Sequence, residues 1–254
     1  MGDSKILQKV TYYIIVYCDT NIEYENYDKG EEMKDKTKNK LAIFDTFKTK
    51  DNDLTGEAKR QRAIITILGS NVNPVERTRT GISQKIAKKQ EITWKNIYSG
   101  IFRDLDEILL PMGIAEEDGR LPLKRGPKAL QEKGIPYYHL TKKGVLVGLS
   151  INGIDNMSVQ LKKFFAESDP KESEFEKILT KLVTNSPNFT YSIFQKYVKA
   201  FCENKINELL PFDLSKLKDI SDENLIIQKE VLLAFLKLTN QEKKEAAIFL
   251  EKIT

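Results

Sequence analysis

The spacing of apolar residues changes several times along the chain. Residues 6 to 18 are rich in Ile, Val and Tyr and alternate little, which predicts a buried strand or a short apolar element. Asp19 to Lys40 is dominated by Asp, Glu, Lys and Asn and reads as a charged connection, and Leu41 to Phe47 is a second short apolar piece placed to pair with the first. From Thr55 to Gly69 the period becomes helical, with Thr55 as cap and Ile64, Ile65 and Leu68 forming a stripe behind Lys59, Arg60 and Arg62. Asn71-Val72-Asn73-Pro74 ends that helix. A short second helix is expected with Ser83 as its cap and Ile86 and Ala87 facing inward. The longest period follows: Trp94, Ile97, Tyr98, Ile101, Leu105, Ile108, Leu109 and Met112 recur at spacings of three and four after Thr93. This predicts a helix over 93–110, about five turns long, closed by Pro111 and Gly113.

After Gly113 the pattern changes. Ile114-Ala115-Glu116 reads as a short strand, Glu117 to Gly134 as a polar and basic excursion, and Ile135 to Leu140 as a returning strand. Thr141 caps a further helix that runs to Ser150. From Asn156 onward the chain is a series of capped helices. Asp169 stands before Pro170, Ser221 before Asp222 and Glu223, and Thr239 forms a capping box with Glu242. Their apolar positions are Phe175, Ile178, Leu179 and Leu182, then Phe194, Tyr197, Val198 and Phe201, then Val231, Leu232 and Phe235. They read first as core and second as a ligand pocket or dimer surface. The expected fold class is therefore mainly α with a small β component. Residues 1–54 are an N-terminal strand-like segment and charged connection, 55–153 three helices with a hairpin, and 154–254 a C-terminal helical domain.

Composition narrows the chemistry. With 254 residues, 40% hydrophobic and 31% charged, the chain has the make-up of a folded globular protein, and no apolar run approaches the roughly 20 residues of a membrane span. Its start, Met1-Gly2-Asp3-Ser4-Lys5, lacks a basic opening followed by an apolar stretch, so a cytoplasmic location is expected. Cys18 and Cys202 are the only thiols and His139 the only imidazole, one ligand short of a structural zinc site. His139 lies in the strand-like run Tyr137-Tyr138-His139-Leu140 rather than in a setting for a catalytic base. No phosphate-binding loop, dinucleotide-binding glycine pattern or paired-histidine metal motif is present. Asp51-Asn52-Asp53-Leu54-Thr55-Gly56 copies the first half of a calcium loop, but Arg62 stands where the bidentate Glu belongs. The chain is thus expected to be no enzyme and to hold no metal or cofactor.

The net charge of +4 is unevenly spread. Between Arg77 and Arg103 seven bases face Glu91 alone, a local +6, and between Arg120 and Lys143 seven bases face Glu132 alone, again +6. From Glu167 to the end the balance is −2. Basic charge is concentrated in the middle third, where a polyanion would be attracted.

Leu110-Pro111-Met112-Gly113-Ile114, then Glu117-Asp118-Gly119, then Tyr138-His139-Leu140-Thr141-Lys142-Lys143-Gly144 resemble a known pattern. It closes winged helix-turn-helix domains of prokaryotic, including archaeal, transcriptional regulators. The resemblance covers residues 57–151, and its hairpin tip is longer than usual in such domains. It implies sequence-specific binding of double-stranded DNA by a transcriptional regulator, with the 93–110 helix in the major groove. Opposite the apolar stripe that helix carries Lys95, Asn96, Ser99 and Arg103, three of them able to read or approach base edges. Arg77, Arg79, Lys85 and Lys88 would contact phosphates, and Lys124, Arg125 and Lys128 would form a basic wing. The other reading is a winged-helix scaffold for protein–protein contacts in replication or transcription machinery. A homodimer is expected through the C-terminal helices, whose apolar stripes include Phe194, Tyr197, Phe201, Val231, Phe235 and Phe249.

Overall fold

The computed structural model describes residues 40–48, 53–122, 134–151, 156–166, 170–218, 220 and 223–253. The strand expected at 6–18, the cap candidates Asp169, Ser221 and Asp222, and the wing residues Lys124, Arg125 and Lys128 lie outside them. The described chain is mainly helical, with nine helices and one two-stranded antiparallel sheet. None of these helices is long and apolar enough to cross a membrane.

Helix α1 (Gly56–Ser70) starts where Thr55 accepts a hydrogen bond from Ala58 N, and it buries Ala58, Gln61, Ile64, Ile65 and Leu68. Leu41 and Ile43 are buried beside it, and Ala42 N donates to the buried Gln61 Oε1 at 2.9 Å. The segment 41–47 therefore docks as an irregular stretch, bridged only at Thr46–Leu54.

Helix α2 (Arg79–Gln90) is longer than expected and is capped by Thr78, not by Ser83. Thr78 Oγ1 accepts from Gly81 N at 3.0 Å, whereas Ser83 is fully buried inside the helix and donates back to Arg79 O at 2.7 Å. A serine at i can bond the carbonyl at i−4 as readily as it caps, and burial decides which use applies here.

The long helix also departs from expectation. Helix α3 is regular only over Trp94–Arg103, and residues 104–109 widen into a π-type turn in which Leu110 N donates to Leu105 O. Thr93 stands at the cap position without a side-chain capping bond. The stripe is real: Ile101, Leu105 and Leu109 are buried, along with Asp104.

Strand β1 (Ala115–Leu121) runs well past the expected Ile114–Glu116 and pairs with β2 (Ile135–Leu140), with a register break between Glu117 and Gly119. Its polar composition hid it, because Glu116, Glu117, Asp118 and Arg120 are exposed on a hairpin with little core to cover. A single bridge, Thr78 to Tyr137, extends the sheet on the other side of β2. Helix α4 (Lys142–Leu149) follows, capped as expected by Thr141.

Helices α5 (Met157–Ala166), α6 (Pro170–Asn185) and α7 (Pro187–Cys202) continue the same core. Phe212 sits at its centre, with Phe164, Phe165, Phe175, Phe194 and Tyr197 at ring-centroid separations of 5.0–6.4 Å. Tyr197 Oη donates to Leu209 O at 3.2 Å, which satisfies the buried phenol. Leu179, Phe194, Tyr197 and Val198 are core as expected, while Ile178 is half exposed.

The last two helices depart most. Helices α8 (Glu223–Lys237) and α9 (Asn240–Ile253) are joined by the expected capping box, with Thr239 N donating to Glu242 Oε2 at 2.7 Å. That bond holds the Glu242 carboxyl below its ordinary range. Their apolar residues are not core: Val231 and Leu232 are each 53% exposed, and α8 buries none of its residues.

Candidate nucleic-acid interface

The outer face of α3 carries Lys95, Asn96 and Ser99, all exposed, with Phe102 beside them. On its flanks Trp94 and Tyr98 meet edge to face at 5.8 Å. Asn96, Ser99, Gly100 and Arg103 line a shallow groove of about 420 Å³ whose far wall is Arg60 of α1.

An ion pair lies behind the end of α3. Arg60 Nε donates to Asp104 Oδ2 at 2.8 Å and its Nη2 to Oδ1 at 3.4 Å, with Asp104 wholly buried. Gly100 makes room, since a Cβ there would stand 2.8 Å from Arg60 Nε. Arg103 is half exposed, with its Nη2 3.6 Å from Asp104 Oδ1 and 3.9 Å from Glu57 Oε2. It therefore borders the exposed face and shares the same carboxylate. Sequence reasoning missed Arg60 and Asp104. One signal was available: an aspartate three residues after Ile101 falls on the apolar stripe, where a charged group needs a partner.

Arg77 and Arg79, expected at phosphates, point inward. Arg77 Nη1 donates to Asp118 Oδ2 at 2.7 Å and to Tyr138 O at 3.2 Å, and the guanidinium lies over Tyr137. Arg79 Nη2 donates to Asp106 Oδ1 at 2.7 Å, with the guanidinium between Phe102 and Tyr138. These two side chains join the hairpin and the π-type turn to the start of α2. Burial pushes the Tyr138 phenol up to about 12, against the pull of the Arg79 guanidinium. Lys85 is bound to Glu76 at 2.5 Å and to Asn71, while Lys88 is exposed on α2. The structure thus gathers Lys95, Asn96, Ser99 and Arg103 on one surface and gives Arg77, Arg79 and Lys85 internal partners.

His139 lies on β2 with its Nε2 3.0 Å from Glu116 Oε1. Among the described residues no group of three or more His, Cys, Asp and Glu could hold a metal ion. Cys202 is free and buried, and burial pushes its thiol up to about 12.

Neither a family model, nor a curated protein, nor a solved structure matches this chain.

The chemistry this surface offers is an amide, a hydroxyl and two cations on a helix whose opposite side is buried. Such a set can donate and accept hydrogen bonds and carries positive charge.

Proposed function

We propose that residues 55–153 form a winged helix and that the chain binds double-stranded DNA as a transcriptional regulator, with α3 in the major groove. The carrying observation is the exposed row Lys95, Asn96 and Ser99 on a helix whose opposite side is locked into the core by Ile101, Asp104 and Leu105. Three helices followed by a hairpin, with the connection between the first two bridging the returning strand at Thr78–Tyr137, support the reading. Lys88 and the wing residues Lys124, Arg125 and Lys128 would contribute phosphate contacts. Arg77 and Arg79 would instead hold the wing's base.

A single domain of this size offers limited contact, so tight specific binding calls for a second copy. Helices α8 and α9 are suited to hold it. Ile226, Val231, Leu232 and Leu236 of α8 and Ile248 and Phe249 of α9 are 53–71% exposed. Their apolar neighbours Ile227, Leu233 and Leu250 are 44–49% exposed as well, more hydrocarbon than a monomer usually leaves in water. Helix α8 is apolar nearly all round, which is the pattern of a helix buried on several sides. A second copy laying the same helices against these would cover them. Phe194 and Tyr197 are excluded from this surface because they are fully buried in their own chain.

The test is a gel shift with duplex DNA at two salt concentrations. Binding that weakens steeply with salt is expected. Replacing Lys124, Arg125 and Lys128 with Gln should lower the logarithmic slope by about 2.7, at about 0.9 per phosphate contact. No shift with any duplex at low salt would refute DNA binding and favour the protein-scaffold reading.

A further inference from the structure

Between residues 53 and 122 most cations are neutralised. Arg60, Arg77, Arg79, Lys85, Arg103 and Arg120 each have a carboxylate oxygen within 4 Å. Lys59, Arg62, Lys88, Lys89 and Lys95 have no such partner among the described residues. Lys95 belongs to the outer face of α3. The other four converge on a single cleft between α1 and α2, about 1030 Å³ in volume.

Two features make this more than a scatter of surface lysines. The floor is apolar, formed by Leu54, Ala63, Ile67, Ile86 and Ile151, and no carboxylate lines the cleft among the described residues. Arg62 is also pre-positioned. Its guanidinium lies over the Phe44 ring at 5.7 Å, and its Nε is enclosed without a hydrogen-bond partner. Four like charges around one hollow repel one another, and a half-buried guanidinium without a counter-ion carries a desolvation cost. A polyvalent anion removes both penalties.

We propose that this cleft binds an organic phosphate of the nucleoside diphosphate type. The phosphates would sit among Lys59, Arg62, Lys88 and Lys89, and the apolar part on the Ala63–Ile67–Ile86 floor. A guanidinium fork with flanking ammonium groups matches the charge and shape of a diphosphate better than those of a single carboxylate. The cleft is separate from the outer face of α3. Successive α-helical residues are about 100° apart, so Arg60 and Arg62 leave α1 on opposite sides. Arg60 goes to Asp104 beneath α3, and Arg62 to the cleft. The cleft shares Lys88 with the DNA reading, so the variants that test it are made at Arg62, Lys59 and Lys89.

Calorimetric titration of the full chain with ADP, with inorganic pyrophosphate and with a short duplex tests it. ADP is expected to bind once per chain and more tightly than pyrophosphate. Arg62→Gln should weaken ADP about tenfold, the effect of one lost charge-assisted contact. The exposed pair Lys59→Gln with Lys89→Gln should weaken it comparably without touching the Phe44 contact, which guards against a folding defect in the first variant. Duplex affinity should be unchanged in both. No heat with millimolar ADP, or equal binding of ADP and pyrophosphate, overturns the proposal. So does a fall in duplex affinity parallel to that of ADP, which would make the cleft part of a DNA track. Failure of the unmodified chain to bind duplex would refute the DNA reading alone and leave the ADP result standing.

Discussion

Removing the Asp104 carboxylate isolates the one buried charge on which the position of α3 depends. Asp104 is wholly buried, and Arg60, whose side chain is 23% exposed, supplies both of the hydrogen bonds it accepts. Breaking a buried pair from one side costs about 3–5 kcal/mol, chiefly because the remaining charge is stranded. Water still reaches part of the Arg60 guanidinium, so Asp104→Ala should fall at the low end, about 3 kcal/mol. For a chain of this size that corresponds to a drop in Tm of roughly 6–12 °C. Arg60→Ala removes both hydrogen bonds to the deeper partner, leaves Arg103 Nη2 at 3.6 Å as its remaining cation, and should cost about as much. The double variant Arg60→Ala with Asp104→Ala removes both charges together and should cost less than the sum of the two single effects, giving a coupling of about 2 kcal/mol or more. Urea unfolding followed by circular dichroism measures all four corners of the cycle. Additive single effects, or a cost below about 1 kcal/mol for Asp104→Ala, would show that the pair does not hold α3 and would refute the reasoning.

Three other outcomes are expected. Asn96→Ala should reduce discrimination between duplexes by about 1–3 kcal/mol, whereas Lys88→Ala should weaken all duplexes alike; titrating a matched and a scrambled duplex separates the two. Leu236→Glu combined with Phe249→Glu should convert a dimer into a monomer in light scattering with the helical content kept, and a wild-type chain that is monomeric at tens of micromolar would refute the proposed pairing. In a Cys18→Ser background, Cys202 should resist iodoacetamide at pH 8 and react when the chain unfolds. Because burial raises the folded thiol from 9.0 to about 12, its contribution to stability is complete below pH 9 and is lost as the pH rises through 12. Rapid labelling of the native chain at pH 8, followed by mass spectrometry, would contradict that burial.

Elements whose signals are local were legible. Thr55, Thr141 and the Thr239–Glu242 box cap where the sequence places them, because a cap is decided within four residues. The stripe of Ile101, Leu105 and Leu109 and the exposed face of Lys95, Asn96 and Ser99 are two sides of one helical period. What depends on distant partners was not legible. Arg77 and Arg79 look like any other exposed cations until Asp118 and Asp106 arrive from 41 and 27 residues away. Ser83 has the composition of a cap, but Thr78 performs that role, since the choice rests on burial of the serine. Val231, Leu232 and Phe235 have the composition of a core, and only the placement of α8 leaves them outside it.

The junction where the hairpin meets α4 gives a physical meaning to the letters Tyr-x-Leu-Thr-x-x-Gly at 138–144. Tyr138 and Leu140 are buried, and Thr141 Oγ1 donates to Gly113 O at 2.6 Å while accepting from Gly144 N at 3.1 Å. At position 144 any Cβ would stand 1.9 Å from Ile114 O, a collision with backbone that no side-chain movement relieves. Gly113 turns through the left-handed region at φ 64° to bring that carbonyl into place. Glycines 113 and 144 are therefore the two halves of one contact. A larger residue at 144 would have to part Ile114 from the fourth helix, whereas one at 113 meets only Lys143 Nζ at 3.9 Å and would instead have to hold the left-handed backbone that glycine adopts freely. The pair of glycines, about thirty residues apart, is then a sharper criterion for recognising other chains with this joint than the hydrophobic pattern around it.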